Sequence, residues 1–98
     1  MEITVQHDEA MIVTVRGRLD TNTAPELDEA IKKETISENA VVVDFAGVEY
    51  ISSAGLRVLL ALKRELDGQG KSLAIRNINA VVREIFNVTG FINILTIQ

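Results

Sequence analysis

The fold follows from one stretch of the sequence, residues 41–60, which reads VVVDFAGVEYISSAGLRVLL. Its first part is a run of β-branched apolar residues, which is typical of a strand buried on both faces. Its last part carries leucines at helical spacing, and a polar hinge between the two parts ends in Ser52-Ser53-Ala54-Gly55. When a buried strand is followed directly by a helix, the side chain at the start of the helix is exposed and can contact a partner. We interpret Ser53 as that side chain.

The composition restricts the class of protein. The sequence has 98 residues, of which 47% are hydrophobic and 24% charged, and this predicts one folded domain spanning residues 1–98. The net charge is −4 and the ten basic residues are scattered, which argues against a nucleic-acid partner. There is no cysteine, no apolar run of the roughly 18 residues that span a bilayer, and no secretion signal. We therefore expect a cytoplasmic protein with no membrane insertion, metal or cofactor.

Hydrophobic alternation predicts the strands. The first two form a hairpin around Ile3, Val5 and residues 11–15, and a loop over residues 16–22 follows. The third strand covers residues 40–45 and leads into a loop over residues 46–53. The remaining predicted strands are residues 73–75 and a last one containing Ile92, Ile94, Leu95 and Ile97.

Capping residues and leucine spacing predict three helices. The first begins with a capping box of Thr23 and Glu26, has Pro25 in its first turn, and ends near residues 34–38. The second covers residues 54–66 and stops at two glycines. The third covers residues 80–87, is capped by Asn79 and ends at Thr89-Gly90. The order β-β-α-β-α-β-α-β predicts an α/β fold, in which helices pack on a mixed, mostly parallel sheet.

Functional side chains of such a sheet gather beyond the carboxyl ends of its strands. The loop over residues 16–22 offers Asp20, Thr21 and Asn22, and the loop over residues 46–53 offers Ser52 and Ser53. If the second and third strands are neighbours, these groups lie at one end of the molecule.

The same residues also have simpler interpretations and an enzymatic one. Without further information, Ser53 is a helix cap, Asp20 a turn former, and Asp44 and Glu49 solvated or capping carboxylates. A serine hydrolase needs a base, and the only histidine, His7, is predicted in a turn near the other end of the second strand. No phosphate-binding glycine motif is present. The sequence therefore favours a non-enzymatic protein.

Three motifs resemble those of the STAS family, which contains bacterial anti-sigma-factor antagonists and the cytoplasmic domains of sulfate transporters. The main one is residues 44–60, centred on YISSAGL at positions 50–56. The other two are Gly17-Arg18-Leu19-Asp20 and residues 86–91. The resemblance covers nearly the whole chain, and its length is that of the antagonist branch.

The resemblance implies an anti-sigma-factor antagonist that regulates sigma-factor-dependent transcription by partner switching. The unphosphorylated form binds an anti-sigma factor with serine kinase activity, and phosphorylation, on Ser53 in preference to Ser52, releases it. A phosphatase is a further implied partner, and the expected state is a monomer or weak dimer. The partner-binding residues are then Asp20, Thr21, Asn22, Ser52, Ser53, Ala54, Gly55 and Leu56, with Ala54 and Leu56 expected as exposed apolar contacts.

One position departs from the family pattern. Many antagonists carry an aspartate directly before the phosphorylated serine, and this chain has Ser52 there. The alternative interpretation is therefore a STAS subunit that regulates a membrane transporter complex or a stressosome-like assembly.

Overall fold

A computed structural model describes all 98 residues, and five strands and three helices account for most of them. In chain order the elements are β1 (Glu2–His7), β2 (Met11–Leu19), α1 (Ala24–Lys32), β3 (Ala40–Ile51), α2 (Ser53–Gly68), β4 (Ser72–Arg76), α3 (Ala80–Thr89), a 3₁₀ turn (Phe91–Asn93) and β5 (Thr96–Ile97). The sheet order is β1-β2-β3-β4-β5. Only β1 is antiparallel to its neighbour, so the predicted α/β fold with a mixed, mostly parallel sheet is confirmed.

One face of the sheet forms the core together with all three helices. The odd-numbered side chains of β2 and the matching ones of β3 are fully buried: Met11, Val13, Val15, Val41, Val43 and Phe45. They join one apolar cluster with side chains from the helices, including Leu27, Leu59, Leu66, Val82 and Phe86. Side chains alternate between the two faces of a strand and recur every three to four positions on one face of a helix. The apolar residues that follow these two spacings in the sequence are the ones that form this cluster.

The strands β2 and β3 run farther than predicted. Residues 16–22 and 46–53 were predicted as loops, whereas β2 continues to Leu19 and β3 to Ile51. Gly17 and Gly47 lie in a stretch where the register between β2 and β3 shifts twice. Gly47 sits where a Cβ atom would come within 2.7 Å of the Arg16 side chain. These glycines therefore permit irregular pairing without ending the strands.

Other predicted boundaries and caps have mixed outcomes. The Asn79 cap is confirmed, because its side chain accepts a hydrogen bond from the Val82 N–H at 2.7 Å. The end of α3 at Gly90, with φ of 81°, is also confirmed. The helix α1 ends at Lys32, earlier than predicted. The last strand is only two residues long, because residues 91–93 form a 3₁₀ turn instead.

Asp44 is a buried structural carboxylate that caps a backbone N–H, so of its two interpretations, solvated or capping, only the first was wrong. The residue is 8% exposed and accepts hydrogen bonds from Ala46 N–H at 2.9 Å and from the Asn77 amide at 3.1 Å. Arg76 Nε lies 3.0 Å from the other carboxylate oxygen. Burial acts to raise the pKa of Asp44, but these donors outweigh it and lower the pKa. The cluster ties β3 to the end of β4.

Candidate functional site

The loops that follow β2 and β3 lie side by side, as predicted. Leu19 pairs with Ile51 at the carboxyl ends of these parallel strands. The next residue, Ser52, donates its backbone N–H to the carbonyl oxygen of Leu19 at 2.8 Å. Asp20 and Ser53 each follow directly after one partner of this hydrogen bond, so the two predicted loops form one surface.

Asp20 organises the turn that precedes α1. Its Oδ1 accepts hydrogen bonds from the backbone N–H groups of Asn22 at 3.0 Å and Thr23 at 3.1 Å. The Thr23 backbone donor has the largest effect, and together these interactions lower the pKa of Asp20 against the opposing effect of desolvation. Asp20 is half-buried, whereas Thr21 and Asn22 are exposed. The turn therefore presents a carboxylate that is ionised at neutral pH, flanked by two accessible polar side chains.

The predicted capping box at α1 was wrong. The Thr23 hydroxyl donates to the carbonyl oxygen of Arg18 at 2.6 Å and accepts the Asp20 N–H at 2.9 Å, so it makes no cap hydrogen bond to the helix. The preceding turn competes successfully for this hydroxyl, because both of its partners lie within five residues. Pro25 lies in the first turn as predicted.

The two serines at the start of α2 differ in exposure. Ser52 occupies the N-cap position, but its side chain makes no cap hydrogen bond, and its Oγ is buried without a partner. Ser53 is the first helical residue and is exposed. The interpretation of Ser53 as the helix cap was therefore wrong. Its hydroxyl is instead accessible next to the free amides and partial positive charge of a 16-residue helix.

Two of the residues predicted to contact a partner belong to the core. Leu56 is 5% exposed, so its expected exposure was wrong. Gly55 is also buried, and a Cβ atom there would lie 2.7 Å from Ile51 Cγ1 and 2.8 Å from Leu19 Cγ. The glycine thus lets α2 approach the ends of β2 and β3 closely, rather than making room for a partner. Ala54 remains half-buried at the surface.

The surface also contains a cation–π contact that the sequence did not predict. The guanidinium carbon of Arg18 lies 4.6 Å from the centre of the Tyr50 ring, and these residues pair across β2 and β3. Both were assigned to loops, so nothing in the pattern indicated that they face each other. A cation over an aromatic ring is held in place by the charge distribution of the ring. The pair fixes a basic group close to Asp20.

His7 lies at the opposite end of β2 from this surface. It ends β1 and pairs with Met11, the first residue of β2. Its Nε2 lies 2.7 Å from a Glu34 oxygen and its Nδ1 lies 2.8 Å from a Glu38 oxygen. Glu34 and then Glu38 raise the pKa of His7. The imidazole is therefore engaged far from Ser53, and no group of three or more acidic, histidine or cysteine side chains is arranged to hold a metal ion.

Comparison with known proteins identifies the family. A family model described as "Mlab, STAS domain" matches residues 3–96. The chain belongs to the STAS family. Over 96 residues the domain is 30% identical to an anti-sigma-B factor antagonist of Staphylococcus epidermidis, and the match covers 97% of this chain and 89% of that protein.

Solved structures share the fold of this STAS domain. The crystal structure of an anti-sigma factor antagonist from Mycobacterium paratuberculosis superposes with a TM-score of 0.88 at 29% identity, covering 99% of this chain and 84% of that one. The Bacillus cell fate determinant SpoIIAA in its phosphorylated form gives a TM-score of 0.73 at 16% identity, covering 99% of this chain and 91% of that one. The second likeness concerns the fold alone. The longest helix, α2, has 16 residues, and no helix has the length and hydropathy of a bilayer-spanning segment.

Proposed function

We propose that this STAS domain is a non-enzymatic anti-sigma-factor antagonist. In its unmodified form it binds an anti-sigma factor with serine kinase activity, and phosphorylation of Ser53 releases that partner. A phosphatase then restores the binding form. The observation that carries the proposal is the exposed Ser53 hydroxyl at the first residue of α2, beside the ionised Asp20 turn. The names of relatives at about 30% identity over nearly the whole chain support the same function.

Accessibility favours Ser53 over Ser52 as the phosphate acceptor. The Ser52 Oγ is buried, so a kinase would have to unwind the start of α2 to reach it. The Ser53 side chain is exposed in the folded domain. The only histidine lies at the other end of β2, so Ser53 has no nearby imidazole to activate it as a nucleophile.

The phosphate would act on the interface and not on the fold. It adds a charge of about −1.5 to −2 at a helix N-terminus, where a negative charge is stabilised by about 0.3–1 kcal/mol. At a distance of about 6 Å and an effective dielectric constant near 20, repulsion from a partner carboxylate amounts to several kcal/mol before screening. If about 2–3 kcal/mol remains, affinity falls by about 30- to 150-fold. We therefore expect release of the partner from a domain that stays folded.

The test is to incubate the protein with ATP and the kinase-type anti-sigma factor encoded in the same genome, and to map the phosphate by mass spectrometry. We expect one phosphate on Ser53, lost in Ser53→Ala and retained in Ser52→Ala. Ser53→Asp adds about half the charge of a phosphate, so it should lower the affinity for the kinase by about 5- to 12-fold. Label on Ser52, label on neither serine, or a Ser53→Asp variant that binds as tightly as the parent would each contradict the proposal.

A further inference from the structure

A groove of about 360 Å³ runs between α1 and α2 and begins at the candidate site. Thr21 and Ala54 line its upper end. From there it continues down α2 past Val58 and Ala61, with Pro25 on the α1 side. The apolar residues along it are small, and the groove is open to solvent, with Ala61 and Pro25 exposed. It has the size and character to accept an apolar side chain from another molecule.

The charges along the groove leave one unpaired cation. Asp28 and Lys32 lie on α1 and form an ion pair of 2.9 Å, so they neutralise each other. Arg57 on α2 also lines the groove, is exposed and takes part in no salt bridge. Glu65 lies near Lys32 at the lower end, so the net charge of +1 that the lining carries is located at Arg57, in a protein whose net charge is −4. An acidic occupant is electrostatically complementary to it.

The groove also supplies area that the candidate site lacks. A specific protein–protein contact buries about 800 Å² on each side and involves about 20–30 residues. The Asp20 turn and the start of α2 offer about half a dozen accessible residues, because Gly55 and Leu56 are buried. A partner that contacts Ser53 must therefore also contact neighbouring surface. The groove is the adjacent surface, because Ala54, the residue after Ser53, lines it.

We propose that this groove is the second half of the docking surface and receives an acidic, amphipathic segment of the anti-sigma factor. An apolar side chain of that segment packs over Ala54, Val58 and Ala61, and a neighbouring carboxylate pairs with Arg57. This inference rests on the proposed function, since the same partner contacts Ser53. Residues up to about two helical turns beyond the phosphorylation site then contribute to the affinity for the anti-sigma factor.

The test measures binding of the full chain to the same anti-sigma kinase by titration calorimetry. Ala61→Glu fills the groove with a longer side chain whose negative charge repels the acidic segment, and should weaken binding by about 10-fold or more. Arg57→Gln removes the free cation and should weaken binding by about 5-fold at low salt, with the difference shrinking as salt is raised. Arg83→Gln is the matched control for charge, because Arg83 is exposed on α3, takes part in no salt bridge and lies outside the groove. Val88→Glu is the control for the same kind of substitution at an exposed apolar residue on α3.

The outcomes separate the groove from the proposed function. The proposal is supported if both groove variants weaken binding while both controls stay within about 2-fold of the parent. If the parent binds, Ser53→Asp binds more weakly and Ala61→Glu binds like the parent, the groove proposal is overturned and the proposed function stands. If the parent does not bind the kinase, both are overturned. Self-association of the parent that Ala61→Glu abolishes, measured by sedimentation, would assign the groove to a second copy of this chain and also overturn the proposal.

Discussion

Replacing Gly55 by alanine should destabilise the domain, although alanine is the better helix former. A Cβ atom at Gly55 would lie 2.7 Å from Ile51 Cγ1 and 2.8 Å from Leu19 Cγ, and both of these side chains are at least 99% buried. Contacts this short force the neighbours to move, and overpacking of this kind costs about 1–3 kcal/mol. The gain in helix propensity is at most about 1 kcal/mol. We therefore expect a net loss of about 1–2 kcal/mol in the free energy of unfolding.

Gly68→Ala is the matched control on the same helix. Nothing lies within 4 Å of a Cβ atom at Gly68, so only the propensity term remains and the variant should gain up to about 1 kcal/mol. The two variants should then differ by about 2 kcal/mol, which corresponds to about 10 °C in Tm for a domain of this size. Urea denaturation followed by circular dichroism measures both. A Gly55→Ala variant as stable as Gly68→Ala would refute the packing argument.

Three further predictions concern polar groups. Asp44→Asn should lower the free energy of unfolding by about 2 kcal/mol at neutral pH. Because the pKa of Asp44 is lowered in the folded protein, the stabilisation by its carboxylate should be complete above pH 3.8 and disappear as the pH falls through the folded-state pKa. Urea titrations at several pH values measure both. The pKa of His7 is raised, so the stabilisation by its contacts with Glu34 and Glu38 should be complete below pH 6.5 and lost as the pH rises through the folded-state pKa. NMR titration of this single histidine measures the pKa, and urea unfolding of His7→Gln at several pH values measures the stabilisation. Asn79→Ala should cost about 1 kcal/mol as a lost helix cap, whereas Ser52→Ala should be neutral or stabilising because its Oγ has no partner, both measured by urea unfolding.

The sequence predicted the elements of the fold better than their ends. The alternation in β2 and β3 and the leucine spacing of α2 survive in the structure because each pattern buries one apolar face. The strand ends were missed because the apolar alternation stops after Val15 and the apolar run stops after Phe45, and the residues that follow include Gly17 and Gly47. Pairing between the two strands, which is not local, carries the chain past both glycines.

The candidate site could be predicted in its location but not in its detail. Two neighbouring parallel strands bring Asp20 and Ser53 to one end, and this follows from the order of elements. The burial of Leu56 depends on the rotation of α2 about its axis, which is set by contacts with the sheet. The hidden Ser52 side chain depends on the hydrogen bond that its own N–H makes to Leu19. Neither contact has a signature in the sequence.

The hydrogen bond between Ser52 N–H and the Leu19 carbonyl has a consequence for how recognition can change. Both atoms belong to the main chain, so this connection survives replacement of nearly any side chain around it. Residues such as Thr21, Asn22 and Ala54 are then free to diversify while the scaffold keeps its shape. Duplicated copies of such a domain could acquire separate, non-interfering partners within one cell through a few surface substitutions.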